Sequence, residues 1–293
     1  MSGDISPSAD AATPATPATP ASQRKARLFR TLGAESVLVL PNAWDAVSAA
    51  VIATAGATAI ATTSGGVSWS LGRGDGQQLG RDEMVAAARR IVDSVDVPVT
   101  VDVEGGYGPA PADVAATVRA VVEAGAVGVN LEDSTAVGGP LFDVAEQSAR
   151  LRAARDAAAE AGLPELFVNA RTDVFLFGIG PSDGRLGEVL ERAAAYAEAG
   201  ADGLFVPGLL DLDVLNTLCA ASPLPVNAMA VAGGPSVGEL AKTGVRRVSL
   251  GTGLAQAAYT VTRRAAEELL GAGGLTTLDG SLGFGELDVL FRR

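Results

Sequence analysis

The stretch EAGAVGVNL, residues 123–131, leaves a helix, crosses a glycine and enters an apolar run almost at once. Glycine just past a helix end supplies the left-handed backbone conformation that closes the last turn. The Val/Leu-rich run behind it reads as a buried strand. The same join recurs as ATAGATAIA (53–61), EAGADGLFV (198–206) and KTGVRRVSL (242–250). A helix, a glycine and a strand are being repeated along the chain.

Counting outward, β-rich runs lie at 36–44, 57–66, 98–106, 127–133, 166–173, 202–208, 224–231 and 246–253. Stretches of helical periodicity such as RDEMVAAARRIVDSV separate them. Eight strands alternating with helices predict a (β/α)8 TIM barrel. An open doubly wound sheet is the alternative, weakened because no GxGxxG turn follows the first strand. The 293 residues, 48% hydrophobic with 36 glycines, suit one large α/β domain. Residues 1–22, rich in Ala, Pro, Thr and Ser, read as a disordered low-complexity tail, and 23–293 as the single barrel domain. GLAQAAYTVTRRAAEELLGAG (253–273) follows the eighth strand as an extra C-terminal helical segment. The amphipathic SLGFGELDVLFRR (281–293) has no place in the barrel and is either a packed tail or an oligomerisation contact.

A net charge of −12 argues against nucleic acid or an anionic membrane as partner. The chain contains no histidine, which removes Ser-His catalysis and imidazole metal ligands. Its one cysteine, Cys219, lies in a helical stretch and reads as a core residue, with no disulfide framework to join. The two lysines, Lys25 and Lys242, both lie away from the carboxyl ends of strands, so a Schiff-base aldolase is excluded. There is no basic-then-apolar leader and no apolar run near the roughly 18 residues of a membrane span. A cytoplasmic protein is expected.

In such barrels chemistry sits at the carboxyl ends of the strands. There VDVEGGYG (101–108) carries Asp102 and Glu104 two positions apart, hence on one face of the strand. Glu132 ends the neighbouring strand. Three converging carboxylates repel unless a cation lies between them, and with oxygen donors that cation is Mg²⁺ or Mn²⁺. The alternative is that single acids pair with arginine or cap helices. Arg171, in NARTD, reads either as a bidentate clamp on a substrate carboxylate or phosphonate, or as an ion-pair partner of Asp173 or Glu132. Ser64-Gly65-Gly66 offers backbone N–H groups to an anion, or is a plain glycine turn. Asp75, in the glycine-rich LGRGDGQQLG, is a solvated loop acid or a mobile one carried over the barrel mouth for proton transfer. Trp44 and Asn227, also at strand ends, complete the candidate substrate contacts. Asp45 is expected to cap the helix starting at Ala46.

Taken in order, PNAWDAVSA (41–49), TTSGG (62–66), VDVEGGYG, NLED (130–133) and NARTD (169–173) resemble the isocitrate lyase/phosphoenolpyruvate mutase superfamily. The likeness runs from about residue 25 to 255. It implies a (β/α)8 barrel that binds Mg²⁺ and a 2-oxo or 2-hydroxy acid and works through a metal-stabilised enolate. It also implies a homo-oligomer, dimer or tetramer, in which a C-terminal helix packs on a neighbouring subunit. The family's metal acids match Asp102, Glu104 and Glu132, its anion-binding Ser-Gly turn matches Ser64-Gly65, and its substrate arginine matches Arg171. Its loop aspartate falls on Asp75 after a small shift.

The fourth strand is followed by EDSTAVGGPLFD (132–143). It lacks the Lys-Lys/Arg-Cys-Gly-His loop of the isocitrate and methylisocitrate lyases and the Lys- and Asn-containing gating loop of the mutases. The expected activity is a Mg²⁺-dependent lyase or decarboxylase that breaks a C–C bond beside a 2-oxo or 2-hydroxy carboxylate. Loss of CO₂ suits the missing cysteine, because it needs an electron sink more than a general acid. P–C bond chemistry (mutase or phosphonopyruvate hydrolase) and a non-catalytic metal- or carboxylate-binding barrel are the alternatives.

Overall fold

The computed structural model describes residues 17–292. The chain opens with α1 (Pro20–Glu35), then β1 (Leu38–Leu40), β2 (Asn42–Ala43), α2 (Ala46–Thr54), β3 (Ile60–Thr62) and the short α3 (Ser64–Ser70). Next come α4 (Arg81–Asp93), β4 (Val99–Asp102), α5 (Pro111–Glu123), β5 (Gly128–Glu132), α6 (Val144–Glu160) and β6 (Phe167–Arg171). The run ends with α7 (Arg185–Glu198), β7 (Gly203–Phe205), α8 (Leu212–Ala221), β8 (Val226–Met229), α9 (Val237–Lys242), β9 (Arg247–Ser249), α10 (Gly253–Gly271) and α11 (Phe284–Val289).

All strand pairings are parallel, in the order β1-β9-β8-β7-β6-β5-β4-β3-β2. The two ends of that order, β1 and β2, are one expected strand interrupted at Pro41, which has no N–H to give a ladder. One half pairs with β9 and the other with β3, so the sheet closes. This is the expected (β/α)8 barrel, with its first stave written in two pieces.

Local chemistry explains the elements. In α4, Met84, Ala87, Ala88 and Ile91 recur at helical spacing and are buried, with Asp82 and Glu83 in the first turn and Arg90 in the last, as the helix dipole favours. Asp45 caps α2 as expected, accepting the Ser48 N–H. The glycines of the repeated joins, Gly56, Gly125, Gly200 and Gly244, have φ of 98°, 91°, 92° and 92°, the region L side chains avoid. β5 is buried at every position, as a strand covered on both faces requires.

A polar layer crosses the barrel interior. Asn169 Nδ2 donates to Asn130 Oδ1 at 2.9 Å and Asn227 Oδ1 at 3.2 Å, and Arg247 Nη2 reaches the same Asn130 oxygen at 3.1 Å. At the amino ends of the strands α1 closes the barrel, its Phe29 packed edge-on against Phe167 at 5.5 Å. The helix begins at Pro20, with Thr19 as its cap and proline at the position a first turn tolerates. The expected tail therefore ends earlier than residue 22; its residues 1–16 lie outside the described part. At the other terminus, Ala255 is the one buried residue of α10. Leu270 and Phe284 are 86% and 83% exposed.

Candidate active site

The site is built where β3, β4, β5 and β6 end. Asp102, the last residue of β4, is 8% exposed. Its Oδ1 accepts the Glu104 N–H at 3.2 Å and its Oδ2 the Ser64 N–H at 3.4 Å. Burial pushes its carboxyl above the usual range; Arg171 pulls it back and Asp75 pushes it further. Glu104 points the other way along the turn, accepting from the Gln77 N–H and from the Tyr107 hydroxyl. Burial, helped by Asp102, raises it to about 7. Glu132 is raised to about 8, by burial first, against the opposing pull of Arg171.

Arg171 stands among these acids. Its Nη1 is 2.8 Å from Glu132 Oε2, and its Nε is 2.6 Å from Asp173 Oδ1. Burial would lower its pKa, but the charges of Glu132, Asp173 and Asp102 together raise it. Asp173 is held in turn by the Ser134 hydroxyl at 2.6 Å, and its N–H donates to Asp133 Oδ1 at 3.0 Å. The other oxygen of Asp133 takes Arg192 Nη1 at 3.1 Å and the Tyr196 hydroxyl at 2.9 Å. The arginine thus rests on a buried network that reaches α7.

Two loops close over the mouth. Gln77, Glu104 and Tyr107 are the non-glycine residues with positive φ (58°, 49° and 59°) among those described. They bond to one another: the Gln77 side chain accepts the Tyr107 N–H at 2.8 Å while its backbone N–H meets Glu104. Strained backbone persists where surrounding contacts over-determine it. The Asp75 loop is thereby pinned to the turn after β4. Opposite it, the loop after β5 is drawn into a short hairpin by the Ser134–Leu141 bridge. Its Val137 comes close to Gly76, where a β-carbon would fall 2.2 Å from Val137 Cγ2.

Beneath lies a cavity of about 240 Å³. Ser64, Asp75, Asp102 and Arg171 line it together. Asn42, Asn130, Ser249 and Thr252 add uncharged polar groups, and Leu176, Phe205, Pro207 and Met229 form an apolar wall. Gly65 lies tight against its rim: a β-carbon there would fall 3.1 Å from Asp75 Oδ2 and 2.8 Å from Thr252 Cγ2. Gly66 is buried within α3, with room neither toward Trp44 nor toward Thr63.

Other expected residues are placed elsewhere. Trp44 is not among the residues lining the cavity; it packs on Tyr259 of α10, ring centroids 6.3 Å apart. Asn227 belongs to the interior polar layer, its amide spent on the Ala228 carbonyl at 2.7 Å. Glu104 and Glu132 sit behind the cavity wall, each with its own partners. Among the described residues no three acids are gathered into a ready-made metal cage. The physical reason is Arg171, which enters the group and takes Glu132, and the Asp75 loop, which takes Glu104. Gln77 and Tyr107 were missed because neither carries a charge; the signal for them was only their place beside glycine-rich turns.

Residues 29–270 match the family model described as phosphoenolpyruvate phosphomutase. An uncharacterized Mycobacterium tuberculosis protein is 40% identical over 214 residues, 73% of this chain and 77% of its own. The 2-methylisocitrate lyase of Escherichia coli K12 is 32% identical over 205 residues, 67% of this chain and 66% of the enzyme. A crystal structure of oxaloacetate acetylhydrolase with its product oxalate superposes with a TM-score of 0.81 at 25% identity, covering 92% of this chain and 94% of that one. With the barrel closed as described and its acids at the ends of β4 and β5, the chain belongs to the phosphoenolpyruvate phosphomutase family of the isocitrate lyase/phosphoenolpyruvate mutase superfamily.

Proposed function

We propose that the protein is a Mg²⁺- or Mn²⁺-dependent lyase or decarboxylase that breaks a C–C bond next to a small 2-oxo or 2-hydroxy carboxylate. The observation that carries this reading is the buried Asp102 carboxylate facing the same small cavity as Asp75 and Arg171. The donor set fits a hard cation: it is all oxygen, and Asp75, Asp102, Glu104 and Glu132 lie close enough for their charges to disturb one another. Asp102 would hold the ion, with Asp75, Glu104 and Glu132 supplying the surrounding negative charge. When bound, it would supply Lewis-acid charge beside the oxygens of the substrate.

The chain's own groups have separate tasks. Arg171, fixed by Glu132 and Asp173, directs its charge toward the substrate carboxylate. The wall of Leu176, Phe205, Pro207 and Met229 excludes water, which strengthens each polar contact inside. Asp75, or a water that it orients, would move a proton at the carbon left by the departing group. Below the roughly 300–1,000 Å³ of drug-sized sites, the cavity suits a substrate of few heavy atoms. The exposed apolar residues of α10 and α11 support a homo-oligomer with this segment on a neighbouring subunit.

The test is a screen of 2-oxo and 2-hydroxy di- and tricarboxylates, with phosphonopyruvate included, in Mg²⁺. Pyruvate, CO₂ and phosphate release are followed together. Turnover of a carboxylate without phosphate release is expected; phosphate release from phosphonopyruvate alone would favour P–C chemistry. No turnover, combined with oxalate binding, would leave a binding barrel.

A further inference from the structure

A second cavity, of about 280 Å³, lies at the amino ends of the strands, on the far side of the barrel from Asp102. It is bounded by α1 and by the starts of β1, β6 and β9. Arg247, the first residue of β9, lines it and is 6% exposed. Its Nη2 donates to Asn130, but its Nε and Nη1 have no hydrogen-bond partner. Among the described residues no carboxylate pairs with it. Asp202, the one acid on the cavity wall, is already held by Arg30 and Arg155. Below the guanidinium stand the rings of Phe29 and Phe167, each centred 5.9 Å from its Cζ.

A buried guanidinium with no carboxylate in contact is costly; the two rings and the more distant charge of Asp102 offset only part of that cost. Burial lowers its pKa to about 9, so it still carries its charge at neutral pH. Two more arginines, the exposed Arg30 and Arg246, stand on the wall. Arg30 is spent on Asp202, which leaves Arg246 and Arg247 with no carboxylate in contact among the described residues. Phe29, Leu38, Phe167 and Pro225 make most of the remaining wall apolar, with Asn169 as its one uncharged polar side chain. Positive charge at the deep end with apolar sides matches an anion that has a short hydrocarbon body.

We propose that this cavity is a binding site for a small monocarboxylate, its carboxylate against Arg247 and its hydrocarbon body against Phe29, Phe167 and Leu38. The site is separate from the candidate active site and independent of the reaction assigned there. Asn130 connects them physically, since it lines the upper cavity and accepts from Arg247 below.

Titration calorimetry with sodium butyrate, in a chloride-free buffer, tests it. Butyramide, with nearly the same shape and no charge, is the control. Saturable butyrate binding is expected, at least about tenfold tighter than butyramide, as a charge-assisted contact implies. Arg247→Met should remove it. Should that variant fail to fold, Gly33→Leu decides. Gly33 is in α1 on the cavity wall, and a β-carbon there meets nothing nearer than 3.9 Å. Leucine would occupy the space, leave Arg247 untouched and suit the helix better than glycine. It should retain the wild-type circular dichroism and lose butyrate binding. The proposal is overturned if butyrate gives no saturable heat, if butyramide binds equally well, or if Gly33→Leu still binds butyrate. Displacement of butyrate by oxalate would assign the binding to the upper cavity, and tighter binding of inorganic phosphate would rule out the monocarboxylate.

Discussion

Arg171 grips Asp173, two residues further along the chain, with two prongs: Nε to Oδ1 at 2.6 Å and Nη2 to Oδ2 at 3.1 Å. The remaining nitrogen, Nη1, is engaged by Glu132. Both ion-pair readings of this arginine hold at once. The guanidinium is therefore positioned before any substrate arrives, which reduces the ordering cost of binding.

Arg171→Lys should lower kcat/KM about tenfold or more, because a point charge cannot keep both prongs, a loss of roughly 1.5–3 kcal/mol. Steady-state kinetics on the substrate found by the screen checks this. Unchanged kcat/KM would leave Arg171 with a purely structural role.

The stability of the metal-free protein should fall as pH rises through neutrality. Glu104 and Glu132 have folded-state pKa values raised to about 7 and about 8, above the ordinary carboxylate value near 4.5. The folded state therefore holds more protons than the unfolded chain between those limits, and unfolding free energy decreases with pH. The contribution is intact below about pH 4.5 and is lost through pH 7–8. Melting temperatures in EDTA from pH 5 to 8.5 measure it; a flat profile would contradict the burial assigned to these acids.

Mg²⁺ should raise the melting temperature, with about 2.7 kcal/mol of stabilisation at a hundredfold excess over Kd. Asp102→Asn should abolish the shift while the fold survives, since the asparagine Oδ1 can still accept the Glu104 N–H. A shift of equal size in that variant would place the ion elsewhere.

Tyr107→Phe removes a donor 3.0 Å from Glu104 Oε1. A carboxylate that loses a hydrogen bond to its charged form titrates higher. The neutral limb of the EDTA stability profile should move upward in pH, with a loss of about 1 kcal/mol at pH 8. A profile superimposable on wild type would show that the hydroxyl does not serve Glu104.

Leu270→Asp and Phe284→Asp should shift sedimentation velocity toward smaller species, because both side chains are almost wholly exposed in the single chain. If wild type already sediments as a monomer, the C-terminal segment is not a subunit contact.

Much of this architecture was legible because it is periodic. Eight apolar runs and four glycine joins predict the staves, and the structure puts a left-handed glycine at each join. Position along a strand also marks Ser64, Asp102 and Arg171, which share one cavity in the structure. What spacing could not convey was how the acids share partners. Glu104 turns away because its φ is positive, and a backbone dihedral leaves no mark in a pattern of apolar residues. Asn227 lies two positions short of Met229, the β8 residue that lines the cavity, and apolar spacing does not resolve a strand end that finely. Trp44 was diverted by α10, a helix whose docking onto the first stave depends on tertiary contacts.

The interruption at Pro41 has a consequence for how the chain is made. Because β1 waits for β9 and β2 for β3, a nascent chain on the ribosome carries an open sheet edge until residues 247–249 have emerged. Unpaired parallel edges are slow to find distant partners and invite other chains in the meantime. A translational stall or a stop codon before β9 would release an aggregation-prone open sheet rather than a smaller closed barrel.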